Sequence, residues 1–210
     1  MPYPQGIFRQ QGEPRLDPNP VYFVTDVETD GPDPGRHSML SFASVACDAR
    51  GMRLGHLALN LEPLDGHAAD AGTMGWWATE PAAWAAVVHD RQPAATAIES
   101  FVQWVRGFGG APVFVGYPLI FDGAWIDWYL RRFAGIRMLQ APRSEDLLFA
   151  GGGLDLGSFV MGRAGLSYVE CAAKRFPRAW LGGHPHTHIA LDDAEGYAHL
   201  LRHVLNMPPP

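Results

Sequence analysis

Val21-Tyr22-Phe23-Val24-Thr25-Asp26-Val27-Glu28 is an almost continuous apolar run that ends in two acids. Such a run reads as a central strand covered on both faces. On a strand, residues two apart share a face, so Asp26 and Glu28 point the same way. They stand at the C-terminal end, where open α/β sheets carry ligand sites. Two neighbouring carboxylates are costly to bury unless something neutralises them. A divalent cation does so, and carboxylate oxygens suit Mg²⁺ or Mn²⁺. The competing reading of an isolated Asp-x-Glu is a strand end whose acids reach solvent.

Working outward, Gly31-Pro32-Asp33-Pro34-Gly35 forces a turn. Met39 to Cys47 predicts a second strand and Leu57 to Leu61 a third, with Asp48-Ala49-Arg50-Gly51 as a hairpin turn between them. The chain therefore begins as an antiparallel meander. The pattern then turns helical: Pro81 to Val88 is rich in alanine, and Ile98, Phe101, Val102 and Val105 recur at helical spacing. Pro112 to Gly116 predicts a short buried strand, Asp122 to Phe133 an amphipathic helix, and Gly153 to Leu156 a further strand. Phe159 to Ala164 and Asp193 to Leu205 predict two more helices. Strands followed by alternating helices and strands give an α/β fold, a mixed sheet with helices on its faces.

Residues 1 to 19 are expected to form an extended arm, 20 to 206 one domain, and 207 to 210 a short tail. No signal peptide is visible, and no apolar run reaches the roughly 20 residues of a membrane helix. Cys47 and Cys171 are the only cysteines among 210 residues. That argues against a disulfide scaffold or a cysteine zinc site, and a reducing cytoplasm fits. Sixteen basic against 22 acidic residues, a net charge of -6, excludes a protein that coats nucleic acid by charge alone. An enzyme holding one strand end through bound cations is compatible with it.

Two further acids strengthen the metal reading. Asp122 shares a helical stripe with Ile126, Tyr129, Leu130 and Phe133, so it opens that stripe facing inward. Helix capping is its plainer explanation. Asp193 repeats the arrangement with Tyr197, Leu200, Leu201 and Val204, whereas Asp192 lines up with Gly196, His199 and His203 on a polar face. Asp193 is thus the inward ligand, and Asp192 an N-cap or solvated residue. His188 precedes Asp193 by five positions, about 140° around a helix axis, which places it in the loop before the helix.

Asp26-Val27-Glu28, Phe121-Asp122 and His188-Ile189-Ala190-Leu191-Asp192-Asp193, taken in order, resemble the three motifs of the DEDDh 3′→5′ exonucleases. The resemblance spans roughly Tyr22 to Leu205. It implies a ribonuclease H-like fold, two divalent cations held by Asp26, Glu28, Asp122 and Asp193, and His188 as general base. It further implies single-stranded RNA or DNA 3′ ends as substrate, and it leaves homodimer formation open. One departure is Pro118, where many relatives carry Asn four residues before the second-motif Asp.

Expected substrate contacts are Met39, Leu40, Trp77, Phe121 and Arg175. In relatives an apolar residue near Met39 and Leu40 wedges against the terminal bases. Phe121 adjoins Asp122, and Trp76-Trp77 resembles a pair found in some small exoribonucleases of this group. Adjacent tryptophans cannot both face one core, which frees one for base stacking. Arg175 belongs to a basic cluster with Lys174 and Arg178. For the first two contacts and for Phe121, ordinary core is the alternative; for the basic cluster, a solvated surface. Two other functions compete. One is a zinc site on the alternating His184, His186 and His188, against which Pro185 and Gly182-Gly183 argue for a loop. The other is a non-catalytic nucleic-acid-binding or scaffold domain on the same fold.

Overall fold

The computed structural model describes residues 19–138 and 146–208. The arm expected over 1 to 19 lies, except for Asn19, outside the described residues. The elements are β1 (Pro20–Thr29), β2 (Met39–Cys47), β3 (Arg53–Asn60), α1 (Ala71–Trp77), α2 (Pro81–Val87), α3 (Ala94–Arg106), β4 (Ala111–Gly116), α4 (Leu119–Phe133), β5 (Leu154–Asp155), α5 (Leu156–Ala164) and α6 (Ala190–Leu205).

The five strands form one sheet in the order β3-β2-β1-β4-β5. β1 pairs antiparallel with β2, and β2 with β3; β1 pairs parallel with β4, and β4 with β5. This mixed sheet is flanked by helices, as the ribonuclease H-like expectation requires.

β1 is central, which accounts for its apolar run: side chains on both of its faces are buried. Val21, Phe23 and Val27 pack with Ile98, Phe101 and Ile126 of α3 and α4. Val24, on the opposite parity, packs with Val160, Leu200 and Leu201 of α5 and α6. By that alternation Asp26 and Glu28 share the face on which α6 lies. Thr25, a buried polar residue on the face of Phe23 and Val27, is also satisfied: its Oγ1 donates to Ser44 Oγ at 2.9 Å across the β1–β2 pair.

Several boundaries differ from the sequence expectation. β3 starts at Arg53, four residues earlier than expected; it is an edge strand with exposed Arg53 and Leu54, so it lacks a run of buried residues. β5 has only two residues, because Asp155 ends it by capping α5. α1 was not expected as a helix. It contains Gly72 and Gly75, poor helix formers, and depends on its cap: the Asp70 carboxylate accepts from Thr73 N–H at 2.8 Å. Asp48 makes the predicted hairpin turn by accepting from the N–H groups of Arg50 and Met52.

A third, smaller core supports the end of β1. Leu40, Trp77, Ala83 and Val87 pack together with Met74, Trp84 and Ile189. The Trp77 indole N–H donates to Thr29 O at 2.9 Å, and Asp70 N–H donates to Asp30 O at 2.8 Å. α1 and α2 are thereby fastened to the end of β1 and to Ile189 before α6. No helix among the described residues is long and apolar enough to cross a membrane.

Candidate active site

β1 and β4 run parallel, so their C-terminal ends lie at one edge of the sheet. α4 and α6 bring their first turns to this edge. α4 can do so because β4 ends in Gly116: a Cβ there would stand 2.9 Å from Leu119 Cα and 3.2 Å from Asp122 Oδ2. The chain turns back tightly, and the Tyr117 N–H donates to Asp122 Oδ2 at 2.7 Å. Asp155 holds the same helix start from below, accepting from Leu119 N–H at 3.0 Å and from Ser158 N–H at 2.7 Å. One carboxylate thus ties the beginnings of α4 and α5 together.

Asp193 lies in the first turn of α6 and is buried. Its Oδ1 accepts from Thr187 N–H at 3.0 Å, and its Oδ2 accepts from His188 N–H at 3.1 Å. Oδ2 also lies 2.9 Å from His186 Nδ1. The N-cap of α6 is Ile189, not Asp192. Asp192 is half-buried and accepts from Thr187 Oγ1 at 2.9 Å, so it braces the loop rather than capping the helix or standing in solvent.

These elements bring the acids together. Carboxylate oxygens of Asp26, Glu28 and Asp193 lie within 4.8 Å of one another. Asp122 is outside that trio but close enough to act on it. Burial, then the charge of Asp122, then those of Glu28 and Asp193, hold Asp26 well above the ordinary carboxylate range. Burial, with Asp193 and Asp122, pushes Glu28 up to about 9. Burial pushes Asp122 up to about 7, against the lowering effect of the Tyr117 and Val27 N–H groups. Among the described residues no arginine or lysine forms an ion pair with any of the four. Buried acids that repel one another, with no arginine or lysine paired to them, form an all-oxygen donor set for a hard divalent cation.

His188 sits in the loop before α6, two residues ahead of its first turn, with φ of 58°. That left-handed conformation turns its ring back to the acids, within 4.8 Å of Asp193 and His186 ligand atoms. Burial, then His186, lowers its pKa; the hydrogen bond to Asp193 raises that of His186. Trp76 closes the other side, its ring 4.8 Å from that of His188 and nearly perpendicular to it.

The structure separates the expected substrate contacts. Met39 and Leu40 have 0% and 1% of their surface exposed and belong to the cores, so neither can wedge against a base. Met39 is held through its backbone, whose N–H donates to Tyr129 OH at 2.7 Å. Trp77, at 1%, is also core; of the pair it is Trp76 that is exposed, at 37%. Of the two, it is thus Trp76 rather than the expected Trp77 that stands open beside His188. Phe121 is half-buried against the α3–α4 core, its ring 6.3 Å from Trp125. Arg175 is exposed in a short 3₁₀ turn beside a cavity of about 550 Å³ that reaches Tyr117, Asp155 and Tyr197. His184 does not join His186 and His188; its ring lies 5.2 Å from that of His199.

The fold has counterparts among solved structures. The nuclease domain of 3′hExo, a DEDDh family member, bound to rAMP, superposes with a TM-score of 0.63, covering 95% of this chain and 98% of that one at 9% identity. The fold is that of DEDDh 3′ exonucleases. E. coli Exonuclease I in complex with a dT13 oligonucleotide gives a TM-score of 0.63 at 14% identity, over 90% of this chain and 41% of that one. The present chain thus spans well under half of that enzyme. A 3′-exonuclease that recognises the 3′ end of the histone mRNA stem-loop gives 0.59 at 7% identity, covering 91% and 83%. No family model and no curated protein sequence matches the chain. At these identities the likeness is one of fold.

Proposed function

We propose that the protein is a metal-dependent 3′→5′ exonuclease acting on single-stranded RNA or DNA. The observation that carries this reading is the convergence of Asp26, Glu28 and Asp193 at the C-terminal end of β1. Asp122 and His188 stand at the rim of that group.

Asp26, Glu28, Asp122 and Asp193 would hold two divalent cations, Mg²⁺ or Mn²⁺. When bound, such ions offset the charge of a phosphodiester and make water a better nucleophile at neutral pH. The protein's own residues supply the rest. His188 takes the proton from the attacking water; its lowered pKa keeps the imidazole neutral and ready to accept. The N–H groups of Tyr117, Thr187 and His188 hold Asp122 and Asp193 in fixed orientations. Attack breaks the bond between phosphorus and the 3′ oxygen of the preceding nucleotide. It releases a nucleoside 5′-monophosphate and leaves a shortened strand with a 3′ hydroxyl. Trp76, exposed beside His188, offers a face on which the terminal base stacks. Lys174 and Arg175, both exposed, provide phosphate contacts further along the strand.

Matched 5′-labelled RNA and DNA oligonucleotides with Mg²⁺ or Mn²⁺ test the reading. A descending ladder that disappears with chelator is expected. Binding without shortening would replace it with a nucleic-acid-binding module.

A further inference from the structure

His186 has no part in the reaction just described, yet it is placed against the site. Its Nδ1 is 2.9 Å from Asp193 Oδ2, and its ring lies 4.2 Å from that of His188. One ligand atom each from His186, His188 and Asp193 falls within 4.8 Å of the others. Asp193 therefore belongs to two groups, an all-carboxylate one with Asp26 and Glu28 and a two-imidazole one with His186 and His188.

We propose that His186, His188 and Asp193 form a nitrogen-rich site for Zn²⁺, distinct in ligand type from the all-oxygen group beside it. The argument is one of donor chemistry. Two imidazoles and one carboxylate are a common three-residue zinc set with a fourth position left for water. Mg²⁺ disfavours imidazole, so the same edge of the sheet offers one set for a hard cation and another for a borderline one. Zn–N and Zn–O bonds of about 2.0–2.2 Å put tetrahedral ligands roughly 3.3–3.5 Å apart. The His186–Asp193 pair is already closer than that, and the remaining separations, at most 4.8 Å, need side-chain rotations to close. His186 is free to make them, since half of its side chain is exposed. Asp193 is not, being fixed by the Thr187 and His188 N–H groups. An ion has a path in: a cavity of about 280 Å³ is lined by His186, Asp193, Tyr197, Lys174 and Arg178.

The site does not depend on the exonuclease reading. If both hold, they compete. Zn²⁺ on His188 removes the group that accepts the proton, and Zn²⁺ on Asp193 draws it from the carboxylate trio. Micromolar Zn²⁺ then inhibits in the presence of excess Mg²⁺.

The test is binding to the tag-free, chelator-stripped full chain, without nucleic acid. Zn²⁺ is titrated by calorimetry, and Co²⁺ by the visible bands that nitrogen ligands intensify. His186→Ala and, independently, His188→Asn are expected to weaken Zn²⁺ binding by about tenfold or more, since even loss of a supporting contact to a metal ligand costs that much. Asn is chosen at 188 because it tolerates the left-handed backbone. The double variant Asp26→Asn/Glu28→Gln is expected to keep the Zn²⁺ affinity. Circular dichroism checks that each variant is folded. Unchanged affinity in His186→Ala overturns the proposal. So does loss of Zn²⁺ binding in the double variant alone, which places the ion in the carboxylate group. An oligonucleotide left intact with Mg²⁺ would remove the exonuclease reading while leaving this result untouched.

Discussion

Trp76 and Trp77 are adjacent in sequence, and the structure gives them opposite surroundings. Trp77 is 1% exposed and fills the core that fastens α1 to Leu40, Ala83, Val87 and the end of β1. Replacing it with alanine should cost about 3–5 kcal/mol, the usual range for a buried Trp. That is a large share of the roughly 5–15 kcal/mol that holds a typical domain together. Trp77→Phe keeps most of the ring but leaves Thr29 O without its donor, at about 1–3 kcal/mol. Trp76→Ala removes a partly exposed ring that touches Trp77 and His188. Its stability cost should be about 1 kcal/mol or less. Its effect should appear instead on substrate: a lost base stack of about 1–3 kcal/mol raises KM by about 5- to 150-fold. Urea unfolding of the three variants, with KM on one labelled oligonucleotide, separates the roles. Comparable destabilisation by the two alanine variants, or an unchanged KM in Trp76→Ala, would refute this division.

Three other outcomes are expected. Asp26→Asn or Asp193→Asn should nearly abolish hydrolysis; Asp26→Asn should also raise the melting temperature in chelator, by relieving repulsion among buried acids, while losing most of the shift that Mn²⁺ gives the unaltered chain. His188→Asn should lose about 10²–10⁴-fold in rate, the worth of a general base, and the acidic limb of the pH–rate profile should vanish with it. Asp155→Ala should destabilise by about 2–4 kcal/mol, from a lost N-cap and an unpaired Leu119 N–H. For this last variant pH provides a second check. Burial would raise the Asp155 pKa, but the hydrogen bonds from Ser158 and Leu119 outweigh it and hold the carboxyl low. A depressed native pKa stabilises above the unfolded value of about 4 and loses that contribution as pH falls through the native value. The gap between the two proteins in urea midpoint should be full at pH 6 and shrink below pH 4. A gap that stays constant to pH 2 would show that the Asp155 charge contributes nothing.

Much of the fold is legible because it rests on local periodicity. The run from Val21 to Glu28 has to be covered on both faces, and the stripes carrying Asp122 and Asp193 have one side to bury. Those patterns lead to the mixed sheet and to acids that point inward. The position of His188 outside α6 follows once it and Asp193 are to face one site, since on a helix they would stand about 140° apart. The elements that escaped are those whose signal is not periodic. α1 has two glycines and depends on the Asp70 cap; of β3 only the first four residues escaped, on an edge strand with exposed side chains.

Sequence by itself determined which chemistry this chain can carry: two acids on one strand face, two more at helix starts, and a histidine in the loop between. Tertiary structure alone decided which side chains around them are reachable. Met39 and Leu40 follow the turn after Glu28, yet β2 runs inside the sheet and buries them both. Neighbours on a helix diverge by about 100°, so one of Trp76 and Trp77 must face outward, and only the packing of α2 and Ile189 selects which. His186 reads only as the middle of the alternating His184, His186 and His188 until the loop before α6 lays it against Asp193. Periodicity records what a segment must bury; proximity between segments far apart in the chain is set by how those buried faces dock.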